Sequence, residues 1–326
     1  MKSEIATSMQ EILTPIWLRI LQQSSIHAED NFFDLGGDSF LALQLFTEIA
    51  KVCGRELPLV TIYLAPTITA LAALLEQPAT PRFPPLVLMK SGTDEPPVFL
   101  AHGLGGSAMD FFQTVKRIQT GHPIYGMQAK GIDGVDQPFE HIEDMARFHL
   151  DAITELQPHG PYFLIGYSLG GLVALEMAQL LSAMGEKVAL LAMLDAYPHI
   201  GHLSLGQRLR LRARQARRGV RFFGDLGGSA SYQPPVGVSF SPAMQRVRDS
   251  AYLALTRYQP KFYGGKIKFL RAATNSVFPH DAVAVWSKLA LKFEVETVPG
   301  DHLGIITTHY QALATVLSQA LKEACC

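Results

Sequence analysis

Two serines in this chain stand where glycine-rich turns open helices, and each could carry chemistry. Gly166-Tyr167-Ser168-Leu169-Gly170 follows a short apolar run at 162–165 and precedes a helical apolar pattern over 172–184. Glycines there permit a tight strand-to-helix turn that lifts the serine hydroxyl clear of a sheet, beside the positive end of the next helix. A serine hydroxyl is a weak nucleophile at neutral pH. It needs a base to take its proton, and the base needs an acid to fix its tautomer. In a strand-turn-helix setting of this kind the partners follow in the order Ser, Asp, His. Asp195 directly follows the apolar run Val188–Leu194, and His302 lies in Pro299-Gly300-Asp301-His302 after the run at 293–298. We therefore expect Ser168 as nucleophile, Asp195 as acid and His302 as base. Asp281, beyond the run at 267–270, is the rival acid. Asp301 is set aside because adjacent side chains diverge.

An oxyanion formed at Ser168 would need preorganised donors. His102-Gly103-Leu104-Gly105-Gly106 follows the run Val98–Ala101 and could turn backbone amides toward the serine. The expected donors are the amides of Leu169 and Leu104. The same glycines do not complete a dinucleotide fingerprint, because the third glycine and a suitably placed acidic partner are missing.

The second serine, Ser39, ends the loop Asn31-Phe32-Phe33-Asp34-Leu35-Gly36-Gly37-Asp38 and opens a helical stretch over 40–51. By position alone it reads as a helix N-cap.

Two kinds of element must position these groups. From about residue 7 to 77 the apolar residues Ile12, Ile16, Ile20 and Leu41, Leu45, Ile49 recur at helical spacing, which predicts a small all-α unit. Prolines 78, 81, 84, 85, 96 and 97 crowd the next stretch and predict an extended connection over 78–97. From 98 onward short apolar runs alternate with amphipathic segments, the pattern of a parallel sheet with crossover helices. That alternation stops over about 198–257, where the arginine-rich segment 208–221 carries Leu209, Ala213, Ala216 and Val220 on one face. We expect a helical insertion there. The divisions are thus 1–77, 78–97 and 98–326.

Composition bounds the rest. With 326 residues, 48% of them hydrophobic, the chain can bury one large core and one small one. A formal charge of −1 offers no overall attraction to nucleic acid or anionic membrane. No signal-peptide pattern or membrane-length apolar stretch is visible, so a cytoplasmic protein with neither partner is expected. The three cysteines, Cys53, Cys325 and Cys326, suit neither a disulfide framework nor a zinc site, and no step needs a metal. Locally, residues 1–77 hold nine acidic side chains against four basic ones, while Arg208, Arg210, Arg212, Arg214, Arg217, Arg218 and Arg221 crowd one segment. The two could attract one another electrostatically.

The segment Leu35-Gly36-Gly37-Asp38-Ser39 closely resembles the phosphopantetheine attachment motif of peptidyl carrier domains in nonribosomal peptide synthetases. Around it, the first 77 residues resemble a four-helix carrier domain with Trp17 in its first helix. Residues from about 97 onward resemble the type I thioesterase of such assembly lines, an α/β-hydrolase fold with a helical lid insertion. The resemblance implies 4'-phosphopantetheine covalently attached to Ser39 by a phosphopantetheinyl transferase. It also implies upstream adenylation and condensation domains, and a tethered acyl or peptidyl substrate that passes to Ser168 and leaves by hydrolysis or cyclisation. One alternative is a serine esterase for diffusible esters, with the helical unit as a docking module. Another is a carrier whose hydrolase-like partner is only a scaffold.

Overall fold

Ser8 and Glu11 cap one another reciprocally, with Ser8 Oγ accepting the Glu11 amide and Glu11 Oε2 accepting that of Ser8, and so open α1 (Met9–Leu21). The computed structural model describes residues 8–77, 82–199, 201, 203, 205–206, 208–209, 241–274 and 282–325. Helices α2 (Ser39–Cys53), α3 (Thr61–Leu64) and α4 (Ile68–Glu76) complete the N-terminal unit. Its core forms around Trp17 and Phe32, both fully buried, whose rings meet edge to face at 5.3 Å. The loop between α1 and α2 folds back on Phe32: the Phe32 amide donates to Pro66 O at 2.7 Å and that of Gly37 to Phe32 O at 2.9 Å. A β-carbon on Gly37 would lie 2.3 Å from the Phe32 ring, so this turn requires glycine.

The larger unit is a seven-stranded sheet in the order β1-β3-β2-β4-β5-β6-β7. Its strands are β1 (Leu86–Lys90), β2 (Val98–Ala101), β3 (Ile124–Met127), β4 (Tyr162–Tyr167), β5 (Val188–Leu194), β6 (Tyr263–Ala272) and β7 (Ala290–Val298). All neighbours run parallel except β1 and β3. Strand β1 falls inside the stretch read from its prolines as a connection. Pro84 and Pro85 precede it and Pro96 and Pro97 follow it, so no proline interrupts its pairing with β3.

Helices cover both faces, as a parallel sheet demands. One core joins α6 (Ile142–Leu156) and α7 (Leu169–Ala183) to the sheet. The opposite core holds α5 (Phe112–Arg117), which follows a 3-10 turn at Ala108–Phe111, with α10 (Gly304–Thr307) and α11 (Tyr310–Ala324). Central strands β2 and β4 are buried throughout, which explains their uninterrupted apolar runs. Edge strand β7 instead pairs charges with β6, Glu294 to Lys266 and Glu296 to Lys268, each at 2.9 Å.

Between β5 and β6 the chain forms α8 (Pro242–Arg257), which packs on α6 and is tied by Arg257 to Glu140, just ahead of α6, at 2.8 Å. The arginine-rich helix expected over 208–221 lies outside the described residues, apart from Arg208 and Leu209. Two short features close the description: α9 (Ala282–Trp286), and a cluster in which the helical unit meets the sheet. There Val87 and Met109 join the buried core of the N-terminal helices. Phe33 of the loop before α2 stacks on Phe112 at 5.2 Å, with Tyr63 4.8 Å from Phe33.

This aromatic contact generates a prediction. Phe112→Ala should let the helical unit tumble separately from the sheet, seen as a shorter rotational correlation time in its backbone 15N relaxation. Unchanged relaxation would assign the contact to Val87 and Met109 alone.

Candidate functional site

The parallel strands end in step. Ala101 pairs with Gly166, Tyr167 with Leu194, Leu194 with Leu270 and Ala272 with Val298. The loops that follow therefore gather along one edge, at the carboxyl ends where open α/β sheets bind ligands.

Ser168 occupies the turn between β4 and α7 with φ 53°, a left-handed conformation that costs a serine roughly 1–3 kcal/mol. Its amide donates to Leu194 O at 2.9 Å. Close backbone contact enforces the turn: a β-carbon on Gly166 would lie 2.1 Å from Gly170 O, and one on Gly170 would lie 2.3 Å from His102 O. Helix α7 is buried along its first ten residues, so its N-terminus is fixed against the sheet.

Asp195 immediately follows β5 and is fully buried, again with positive φ, 45°. Its Oδ1 accepts the Ala272 amide at the end of β6, 3.1 Å away, and its Oδ2 accepts from His302 Nδ1 at 2.8 Å. These donors replace the water a buried carboxylate loses. With Nδ1 protonated, neutral His302 presents a bare Nε2, and Ser168 Oγ donates to it across 3.1 Å. The imidazole is also held from below. Tyr167 stacks on it at 4.9 Å and donates its hydroxyl to His302 O at 2.8 Å.

The structure thus brings Ser168, Asp195 and His302 into one hydrogen-bonded row. The rival Asp281 lies outside the described residues. Leu169, almost fully buried, is the first residue of α7, and the Leu104 peptide borders Ser168 because a β-carbon on Gly103 would stand 3.9 Å from Ser168 Cβ. Sequence reasoning passed over Tyr167. Within a strand buried on both faces no alternation marks it, and only its place before the serine could have drawn notice.

At the other serine, Asp38 rather than Ser39 caps the helix: Asp38 Oδ1 accepts the Leu41 amide at 2.9 Å. An acidic side chain outcompetes the serine because its position one residue earlier has the extended backbone that a cap needs. Ser39 is then the first residue of a fifteen-residue helix, where the positive end of the dipole favours an anion. Phe40, next to it, is 58% exposed.

Among the described residues no group of three or more His, Cys, Asp or Glu side chains could hold a metal ion, and no helix is long and apolar enough to cross a membrane.

Residues 96–321 match the family model for the thioesterase domain. The chain belongs to the thioesterase domain family. Residues 11–75 of this thioesterase chain match the phosphopantetheine attachment site, so a carrier domain that bears covalent 4'-phosphopantetheine precedes the enzyme. Over 194 residues the thioesterase chain is 39% identical to a dimodular nonribosomal peptide synthase of Bacillus subtilis, covering 59% of this chain and 8% of that protein. Malpibaldin synthetase of Mortierella alpina is 32% identical over 266 residues, 80% of this chain and 5% of that one. The chain therefore spans under a tenth of these two relatives. In fold it is similar to a holo four-domain nonribosomal peptide synthetase bound to AMP and glycine, with TM-score 0.61 and 22% identity over 98% of this chain and 26% of that one. It is likewise similar to the NocB thioesterase domain in covalent complex with a fluorophosphonate nocardicin G analogue, with TM-score 0.53 and 23% identity over 70% of this chain and 96% of that one.

One further acid borders the site. Asp110 keeps some exposed surface, yet its carboxyl is sunk beside the loop of Gly105, and burial pushes its pKa up to about 7. An unfolded aspartate titrates near 4, so the folded state binds the extra proton between roughly pH 4 and 7. Stability from this proton is complete below about pH 4 and is lost as pH rises through about 7. Asp110→Asn should accordingly melt progressively higher than the parent as pH is raised from 4 to 8. A melting difference independent of pH would show that Asp110 is not the group that titrates.

Proposed function

We propose that this thioesterase receives an acyl or peptidyl group from its own carrier domain at Ser39 and releases it through a covalent ester on Ser168. The observation that carries the reading is the row Ser168 Oγ, His302 Nε2, His302 Nδ1 and Asp195 Oδ2, joined at 3.1 and 2.8 Å, in one chain with the helix that opens at Ser39.

When attached, phosphopantetheine supplies a terminal thiol that carries the acyl group as a thioester. Ser168 attacks the acyl carbonyl while His302 Nε2 takes the hydroxyl proton, and Asp195 stabilises the resulting imidazolium. The amides of Leu169 and Leu104 hold the oxygen that becomes negative. His302 then protonates the departing sulfur, leaving acyl-Ser168. In the second half His302 takes a proton from water, giving a free acid, or from a nucleophile within the substrate, giving a ring. His302 returns that proton to Ser168 as the ester breaks.

The finer organisation belongs to the same proposal. Residues 1–77 form a four-helix carrier, 78–97 a connection that also lends β1 to the sheet, and 98–326 the rest of the hydrolase, with 198–257 as a lid that includes α8. The connection makes substrate capture intramolecular. A phosphopantetheinyl transferase charges Ser39, and adenylation and condensation domains of a longer synthetase supply the substrate in the cytoplasm. A hydrolase for diffusible esters is the second reading, and loading tests it: no mass gain at Ser39 after incubation with a transferase and coenzyme A would favour it.

Two predictions follow from the covalent route. Ser168→Ala should strand substrate on Ser39, whereas Ser39→Ala should abolish loading and spare cleavage of small diffusible thioesters, both read by intact-protein mass spectrometry. Release at the parental rate from Ser168→Ala would overturn the route. His302→Ala and Asp195→Asn should each slow release by on the order of 10³-fold or more, with Asp281→Asn far milder. The opposite ranking of the two aspartates would move the acid to the loop after β6.

A further inference from the structure

The side chain of His102 takes no part in the row just described, yet it is 4% exposed and sits where the loop after β2 meets the nucleophile turn. Its Nδ1 lies 2.7 Å from the carbonyl oxygen of the next residue, Gly103. A carbonyl can only accept, so Nδ1 carries the proton. The same oxygen accepts the Gly106 amide at 3.2 Å, and Gly106 closes the turn with φ 78°. Both bonds fall on Gly103 O, and that oxygen shares a planar trans peptide with the amide of Leu104, whose N–H must point the opposite way.

Packing fixes the unit on its other sides. The His102 carbonyl is pressed against the first turn of α7, where a β-carbon on Gly170 would lie 2.3 Å from it. A β-carbon on Gly103 would stand 3.0 Å from the Tyr167 ring and 3.9 Å from Ser168 Cβ. The Gly103–Leu104 peptide therefore borders the nucleophile, and His102 holds its carbonyl.

We propose that His102 is a positioning residue for the oxyanion site: its Nδ1–H holds the Gly103 carbonyl and thereby aims the Leu104 amide at the oxygen that becomes negative on Ser168's substrate. The proposal rests on the reading of Ser168 as nucleophile. Donation to the carbonyl also polarises the shared peptide and strengthens Leu104 N–H as a donor. Burial supports the assignment by lowering the His102 pKa, so the ring donates as a neutral Nδ1–H tautomer. The ring of His149, 6.0 Å away, closes the imidazole in from α6; burial pushes its own pKa down to about 3, which keeps it neutral.

The test is a three-variant series in the full chain, assayed on a small diffusible acyl thioester. Asparagine places its side-chain N–H the same number of bonds from the backbone as histidine Nδ1, glutamine places it one bond farther, and leucine has none. His102→Leu should lower kcat by roughly 10²-fold, the scale of one oxyanion donor, with KM little changed. His102→Asn should recover most of that loss and His102→Gln should not. In protein labelled with 15N at leucine, the Leu104 amide proton should move upfield in His102→Leu and return in His102→Asn. Asparagine performing no better than glutamine, or a Leu104 resonance indifferent to the series, would overturn the proposal. Should His102→Leu fail to fold, the comparison of asparagine with glutamine still decides. Absence of fluorophosphonate labelling at Ser168 in the parent would instead remove the nucleophile reading, and the Leu104 resonances would still report whether His102 holds the peptide.

Discussion

A serine held at φ 53° is an unfavourable backbone, and most of what surrounds it is arranged so that it persists. Gly166, Gly170 and Gly171 let the turn, the start of α7 and the loop after β2 approach to distances that any β-carbon would forbid. The Ser168 amide is tied to β5 through Leu194 O, and α7 is buried from its first residue. The strain is thus carried by the sheet and the helix together. Because β2, β4, β5, β6 and β7 end in register, the same edge that receives Ser168 also receives Asp195 and His302. Their separation in sequence, over a hundred residues between Asp195 and His302, costs nothing in precision once the strands are paired.

The two units solve a shared problem in different ways. Each presents a serine at the start of a helix of fifteen residues, where the dipole favours negative charge. In the hydrolase the serine is bent into a left-handed turn that, under the proposed mechanism, faces a transient oxyanion. In the carrier Asp38 takes the capping role, and Ser39 is the first residue of the helix. The aromatic contact of Phe33 with Phe112 links the loop before Ser39 to the helix that follows the 3-10 turn. Phe111, beside it, meets Tyr167 at 6.2 Å, so carrier and nucleophile turn are packed through neighbouring residues.

Much of this was legible in the sequence because glycine and apolar runs report backbone demands directly. The runs Val98–Ala101 and Val188–Leu194 are strands with those same bounds, since buried parallel strands admit few polar residues. Gly166 and Gly170 announced a turn that nothing larger could make. What escaped notice depends on contacts between distant segments. Strand β1 was hidden by the prolines that flank it, although its pairing with β3 leaves them outside the ladder. The capping by Asp38 turned on the backbone angle of one residue. Tyr167, His149 and Asp110 belong to the site's surroundings through burial and stacking, neither of which spacing along the chain reveals.

Electrostatics around the loop after β2 follow one rule: charge is kept away from the place where an oxyanion would form. His102 and His149 are buried beside it, and burial disfavours their charged forms. Asp110 is held toward its neutral form by the same desolvation, and its position near Gly105 makes that matter, because a carboxylate there would oppose a developing negative charge. Asp195 lies instead across the site, with His302 between it and Ser168. Its carboxyl is met by the imidazole and by the Ala272 amide, so in the proposed mechanism it would stabilise a proton on His302 without facing the oxyanion directly. Buried histidines and a carboxyl held toward its neutral form on one side, with Asp195 compensated on the other, would favour backbone amides as donors to an oxyanion. Under the proposed mechanism, backbone amides in low dielectric would hold the oxygen without a cationic side chain.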